Sequence, residues 1–178
     1  MILLINTCKD NLHYFEFVKP IEKIIKKEKT KFVVRHYSKL NKKILEKAEK
    51  IIICGTSLQD NKFLHDLSFF EFIKDFKKPI LGICAGMVVV SLLFGSKLKK
   101  GQEIGLFKEE FIKEFLGLKG EQKVYYLHNY YTTLPKDFDS YTKGKFPKAI
   151  KHRNKEIYAV LFYPEVRHEE IINQFLKI

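Results

Sequence analysis

Alternation of apolar runs with helical stretches limits what this chain can fold into more than any other feature. ILLIN (2–6), KFVVRHY (31–37), IIICG (51–55) and PILGIC (79–84) have the length and make-up of strands. Between them the apolar positions recur at helical spacing, as with Phe15, Val18, Ile21, Ile24 and Ile25 in residues 11–27. NKKILEKAEK (41–50) predicts a short helix, residues 67–77 another, and an apolar helix runs from Cys84 to about Phe94. Continuous apolar strands separated by helices predict an α/β protein with a mostly parallel sheet covered on both faces, because neither face of such a strand meets water.

After Lys100 the pattern becomes β-rich, through EIGLF, KVYYLHNYY and AIKHRNKEIYAVLFY. HRNKE between two strands predicts a hairpin. HEEIINQFLKI closes the chain as an amphipathic helix. No repeat, low-complexity tract or linker interrupts the 178 residues, and 46% hydrophobic content is enough for one domain with a real core.

The longest apolar run, MVVVSLLF, is too short to span a bilayer. MILLINTCKD lacks the basic start and small-residue cleavage site of a signal peptide, so a cytoplasmic location is expected. Net charge is +12, and only three of the 33 basic residues are arginine. Nucleic-acid readers favour the planar arginine fork, so nucleic acid is not the expected partner. A lysine- and isoleucine-rich surface fits a thermophile, and an acidic partner protein suits the charge better. Cys8, Cys54 and Cys84 show no C-x-x-C spacing, which argues against a disulfide framework or a zinc site. All three fall at or just past the carboxyl ends of predicted parallel strands, the edge where such sheets bind ligands.

GICAG (82–86) is the sharpest local signal: a strand ends, a cysteine occupies the turn, and an apolar helix begins. That is the logic of a nucleophile elbow. Gly82 and Gly86 allow close packing and are expected to leave the sulfur exposed, while the helix N-terminus is expected to lower the Cys84 pKa. A buried cysteine in a glycine-containing turn fits the local pattern equally well.

Several segments, in order, resemble the class I glutamine amidotransferases. PILGICAGM resembles the family's nucleophile segment, IIICGTSL its oxyanion strand and loop, and EIGLF its E-x-G segment. VYYLHNYY resembles a strand of the imidazole glycerol phosphate synthase glutaminase subunit. LPKDF and AIKHRNKEIYAVLFYPEV resemble the GMP synthase type, the closing segment favouring its stand-alone archaeal glutaminase subunit. Order and spacing agree from about residue 50 onward; residues 1–50 fit in pattern only. The resemblance implies a flavodoxin-like three-layer fold with late β-hairpin additions, no cofactor and no metal. It also implies glutamine or a related small molecule as ligand and a synthetase as partner subunit.

By the same resemblance Cys84 is the nucleophile and Glu165 the residue that orients the base. Gly55, Thr56, Ala85, Val88, His128 and Asn129 are the candidate oxyanion and substrate contacts. The family's catalytic histidine is replaced by Tyr163. A phenol with a pKa of about 10 donates rather than accepts at neutral pH, and an unassisted cysteine is only about 3% thiolate at pH 7. Val88 stands where the family usually has a substrate-holding glutamine, and Ala159 and Leu161 replace its usual glycine and glutamine. The expectation is a homologue impaired in glutamine hydrolysis. The alternatives are an active glutaminase using His128 or His168, another cysteine hydrolase, or a basic scaffold for nucleic acid. His168 reads as a polar helix start and His152 as a solvated turn residue. His13, His36 and His65 lack supporting neighbours, and Tyr130 and Tyr131 are placed to narrow the pocket.

Overall fold

The computed structural model describes residues 1–178. Seven strands form one sheet in the order β2-β1-β3-β4-β9-β8-β7. Its parallel part is β1 (Ile2–Asn6), β2 (Phe32–His36), β3 (Lys50–Ile53), β4 (Ile80–Ile83) and β9 (Ile157–Val160). The apolar runs become its inner strands because both faces are covered: Leu3–Ile5 and Ile51–Ile53 are fully buried. β8 (Ala149–His152) and β7 (Phe138–Ser140) extend the sheet antiparallel, and HRNKE makes the predicted turn from β8 to β9.

The helix expected over 11–27 is two, α1 (Asn11–Phe17) and α2 (Lys19–Lys27), with Pro20 in the first turn of the second. Proline is tolerated there because its missing N–H has no partner in a first turn. α3 (Lys42–Lys47) is capped by the Asn41 side chain, which accepts from the Ile44 amide at 3.0 Å. Residues Leu67–Lys74 form a 3₁₀ rather than an α-helix. The segment is rich in phenylalanine, a poor helix former, and Asp66 before it accepts the Tyr37 hydroxyl at 2.6 Å instead of capping.

α4 (Ala85–Leu93) packs on β3, β4 and β9. α5 (Pro164–Arg167) and α6 (Glu169–Lys177) pack with α2 as another layer.

The β-rich middle makes a late hairpin addition, as expected, set apart from the main sheet. β5 (Leu98–Phe115) and β6 (Leu118–Thr132) form one long hairpin, a separate two-stranded ribbon. The Leu116–Gly117 turn has positive φ at both positions, the geometry whose twist suits a two-residue hairpin. One edge of β6 pairs with β5. Along the other, the carbonyls of Lys123, Tyr125 and Leu127 receive His168 Nε2 at 2.8 Å, the Tyr163 amide at 3.0 Å and Cys84 Sγ at 3.7 Å. Alternate residues of a strand turn their carbonyls to the same edge, so β6 lies along the carboxyl ends of β4 and β9 and roofs them.

Candidate functional site

The carboxyl ends of β1, β3, β4 and β9 converge on one polar edge. Cys84 follows β4 with φ of 47°, in the left-handed region that L-residues seldom occupy, and leads directly into α4. A Cβ on Gly86 would overlap the Ile53 carbonyl oxygen, and one on Gly82 would lie 2.7 Å from the Gly86 backbone. Both glycines are therefore needed for α4 to approach β3 and β4, as the motif suggested.

The sulfur is not exposed. Cys84 is 5% accessible, and its thiol donates to Leu127 O. Burial pushes its pKa up to about 12, outweighing the Tyr163 hydroxyl and the Ala85 amide, which act the other way. The expected lowering by the helix N-terminus is overturned: taking a thiolate out of water costs more than one helix end returns.

β3 ends in the Gly55–Thr56 loop. Thr7 Oγ1 donates to Cys54 O at 3.0 Å and to Gly55 O at 3.1 Å, holding those carbonyls toward β1. The amides of Gly55 and Thr56 donate to no backbone carbonyl, so the loop keeps two free donors. The Thr56 hydroxyl donates to Asp60 Oδ2 at 2.9 Å.

Tyr163 leaves β9 and lays its ring on this loop. Its hydroxyl donates to Thr56 O at 2.7 Å, and a Cβ at Gly55 would lie 2.5 Å from its Cε1. Phe17 covers the ring, centroid to centroid at 5.3 Å. Burial, then the nearby Cys84 thiol, push the phenol well above its ordinary pKa.

Glu165 faces inward two residues later. No other residue bonds either of its buried carboxylate oxygens, and burial raises its pKa to about 8. No imidazole stands between Glu165 and Cys84.

His128 and Asn129 reach the site from β6. They share with Cys84, Ala85, Val88 and Thr56 the lining of a cavity of about 30 Å³, room for about one water molecule. Asn129 ties the roof to the loop: its Nδ2 donates to Leu58 O at 3.0 Å, while its Oδ1 accepts from Gln102 Nε2 at 2.7 Å. His128 Nε2 lies 2.9 Å from Glu103 Oε2, a carboxylate also paired with Lys148. Its Nδ1 is buried without a partner, and burial, with Lys148, holds its pKa below the ordinary imidazole value. It does not hydrogen-bond Cys84 Sγ.

The remaining histidines lie elsewhere, with one exception. His168 bonds Lys123 O and Glu170 at the start of α6. His152, expected in solvent, is buried between the rings of Phe94 and Phe138. His13, expected to lack neighbours, places Nδ1 3.2 Å from Ser57 Oγ and 3.8 Å from Asp60 Oδ2. One nitrogen faces both groups, so this is no serine–histidine–aspartate relay, which uses opposite nitrogens. Tyr130 lines the cavity; Tyr131 turns away and stacks on Phe146 at 3.9 Å. Asp60, Ser57 and His13 carry no motif; the folded loop puts Ser57 and Asp60 in the cavity wall, with His13 beside them. No group of three or more His, Cys, Asp or Glu side chains is arranged to hold a metal ion.

The family model for glutamine amidotransferase class-I matches residues 12–177. The chain belongs to that family. Among its relatives, a subunit of the glutamine-hydrolyzing GMP synthase of Methanosphaera stadtmanae is 33% identical over 122 residues, covering 61% of this chain and 64% of the relative. The corresponding GMP synthase subunit of Pyrococcus abyssi is 34% identical over 120 residues, with the same coverage. The match thus spans less than two thirds of these relatives' length. A crystal structure of a candidate GMP synthase subunit from Thermoplasma acidophilum superposes with a TM-score of 0.86 at 23% identity, covering 99% of this chain and 92% of that one. A glutamine amidotransferase from Thermotoga maritima gives 0.74 at 18% identity, covering 99% of this chain and 80% of that one. These likenesses establish the flavodoxin-like three-layer α/β fold.

Proposed function

We propose that this chain is a single-domain class I amidotransferase-like protein impaired in glutamine hydrolysis, acting beside a partner enzyme or as a ligand-binding homologue. The hydrogen bond from the Tyr163 hydroxyl to Thr56 O carries the reading. A side chain in the base position that donates into the oxyanion loop cannot take the proton of Cys84. It also leaves Glu165 with no imidazole to orient.

Hydrolysis of a carboxamide needs a sulfur nucleophile, donors for the oxyanion, and an acid that protonates departing ammonia. Here the free amides of Gly55 and Thr56 remain suited to the second task. The first fails: at a pKa of about 12, on the order of 10⁻⁵ of the thiol is ionised at pH 7. The third has no imidazole. In a comparable triad, loss of the base costs about 10⁴- to 10⁶-fold in turnover. The small cavity, with Val88 in place of the family's glutamine, adds a binding penalty.

Kinship with these GMP synthase subunits supports a synthetase of that kind as the partner; the lysine- and isoleucine-rich composition supports a thermophile's cytoplasm as the setting. The test is ammonia release under saturating glutamine, with and without such a synthetase. Release at an ordinary amidotransferase rate, abolished by Cys84→Ala, defeats the proposal.

A second reading keeps the protein active with His128 as surrogate base. The observation favouring it is the unpartnered His128 Nδ1 in the wall of the Cys84 cavity. Partner-dependent hydrolysis that disappears in His128→Ala while the fold survives selects this reading over the first.

A further inference from the structure

The β5–β6 ribbon carries an outward face that the site does not use. Along β5 exposure alternates with period two. Ile104, Leu106 and Ile112 are each more than half exposed, as are the side chains of Lys108 and Glu110 between them. Phe111, on the other face, is buried. Cross-strand pairing sets Leu106 opposite Tyr125, Lys108 opposite Lys123, and Glu110 opposite Glu121. The outward face is therefore banded: an apolar row, a row of two lysines, a row of two glutamates, then Ile112. A two-stranded ribbon is marginal alone, and outward apolar residues on it call for a cover.

The order of the bands names the cover. A twofold axis across the strands at the Glu109–Gln122 row turns the face onto itself. Leu106 then meets Ile112 of the second copy, Lys108 meets Glu110, and Lys123 meets Glu121. Both charged bands meet their opposites and Leu106 meets Ile112, the self-complementarity an isologous contact requires, while Ile104, one row further out, faces Glu114 and lies at the rim of the contact. We propose that this face is the dimer interface of the protein, and that its occupant is a second copy of this chain packed ribbon to ribbon. The Lys108–Glu121 pair, at 2.8 Å, and the Glu110–Lys143 pair, at 2.9 Å, are both exposed, so re-pairing across the interface costs little. The stripe is short and falls in the small interface class, below about 1,200 Å² in total, so the dimer is weak and concentration-dependent. The assignment is independent of whether Cys84 hydrolyses glutamine.

Sedimentation velocity on the intact chain, from low to high micromolar concentration, tests it. The expected result is a monomer–dimer equilibrium that Leu106→Glu abolishes. Leu106→Ser weakens it, serving as the milder variant should glutamate disturb the ribbon. Phe15→Glu, on α1, leaves it unchanged. Lys108→Glu and Glu110→Lys each weaken association about tenfold through like-charge contacts, and the double exchange restores it. Thermal melts of each variant separate loss of association from loss of fold. A monomer throughout the range, a dimer indifferent to Leu106→Ser and Leu106→Glu, or a double exchange as weak as the single ones overturns the proposal.

Discussion

The Tyr163 hydroxyl and the Thr56 carbonyl, 107 residues apart in sequence, are joined by a 2.7 Å hydrogen bond at the centre of the site. The bond links the end of β9 to the loop after β3 and fixes the ring over Gly55. On the proposed reading, the same bond also closes the place a base would occupy.

Tyr163→Phe keeps the ring and removes the donor. Thr56 is 4% exposed, so its carbonyl is left buried without a partner, and an unsatisfied group of this kind costs about 1–3 kcal/mol. The urea midpoint at pH 7 falls accordingly, with an unchanged denaturant slope. A midpoint equal to the parent's shows that the bond contributes nothing.

Glu165 gives stability a pH dependence of known sign. Its carboxyl is raised from 4.5 in the unfolded chain to about 8 in the fold. Between those values the native state holds a proton that the unfolded chain has released, so stability falls as pH rises from about 4.5 to 8 and levels above. The full loss is on the order of 3–5 kcal/mol. Burial lowers the pKa of His128 and His152, which adds a slope of opposite sign below 6.5. The measurement is therefore the difference between the parent and Glu165→Gln across this range: the glutamine variant loses the downward component. Parallel profiles sink the assignment.

Cys84 is expected to be chemically quiet. Its raised pKa suppresses thiolate, and the greater nucleophilicity of a high-pKa sulfur recovers only part of the loss. Iodoacetamide at pH 8 should modify it on the order of 10²-fold more slowly in the native chain than in urea, read by peptide mass spectrometry. Equal rates in the two states mean that the sulfur is open to solvent.

Gly86→Ala forces a methyl into the Ile53 carbonyl, so α4 must lift from β3. The expected loss is roughly 3 kcal/mol or more, in the range reserved for core disruption. Calorimetry reads it as a drop of several degrees in melting temperature. A melt within a degree of the parent's removes the argument that this glycine sets the helix–sheet distance.

Much of the fold is legible without coordinates because local patterns carry it. The apolar runs at 2–6, 51–55 and 79–84 announce strands buried on both faces, and the structure makes them the inner parallel strands. GICAG announces the elbow, because only small neighbours permit a strand, a tight turn and a helix so close together. A late hairpin is legible there but its length is not: nothing local in EIGLF and KVYYLHNYY tells them to pair over so great a span or to stay out of the main sheet.

Sequence alone determined the covalent facts of the site: a cysteine at the elbow, and a glutamate two residues past a tyrosine rather than a histidine. Tertiary structure decided what those groups do. The thiol is buried, so its pKa rises where a helix N-terminus alone would lower it. The phenol turns to Thr56, Glu165 is left unpartnered, and His128 engages the Glu103–Lys148 pair. Desolvation and hydrogen-bond choice depend on which distant segments the fold brings together, and no local pattern of residues encodes that neighbourhood.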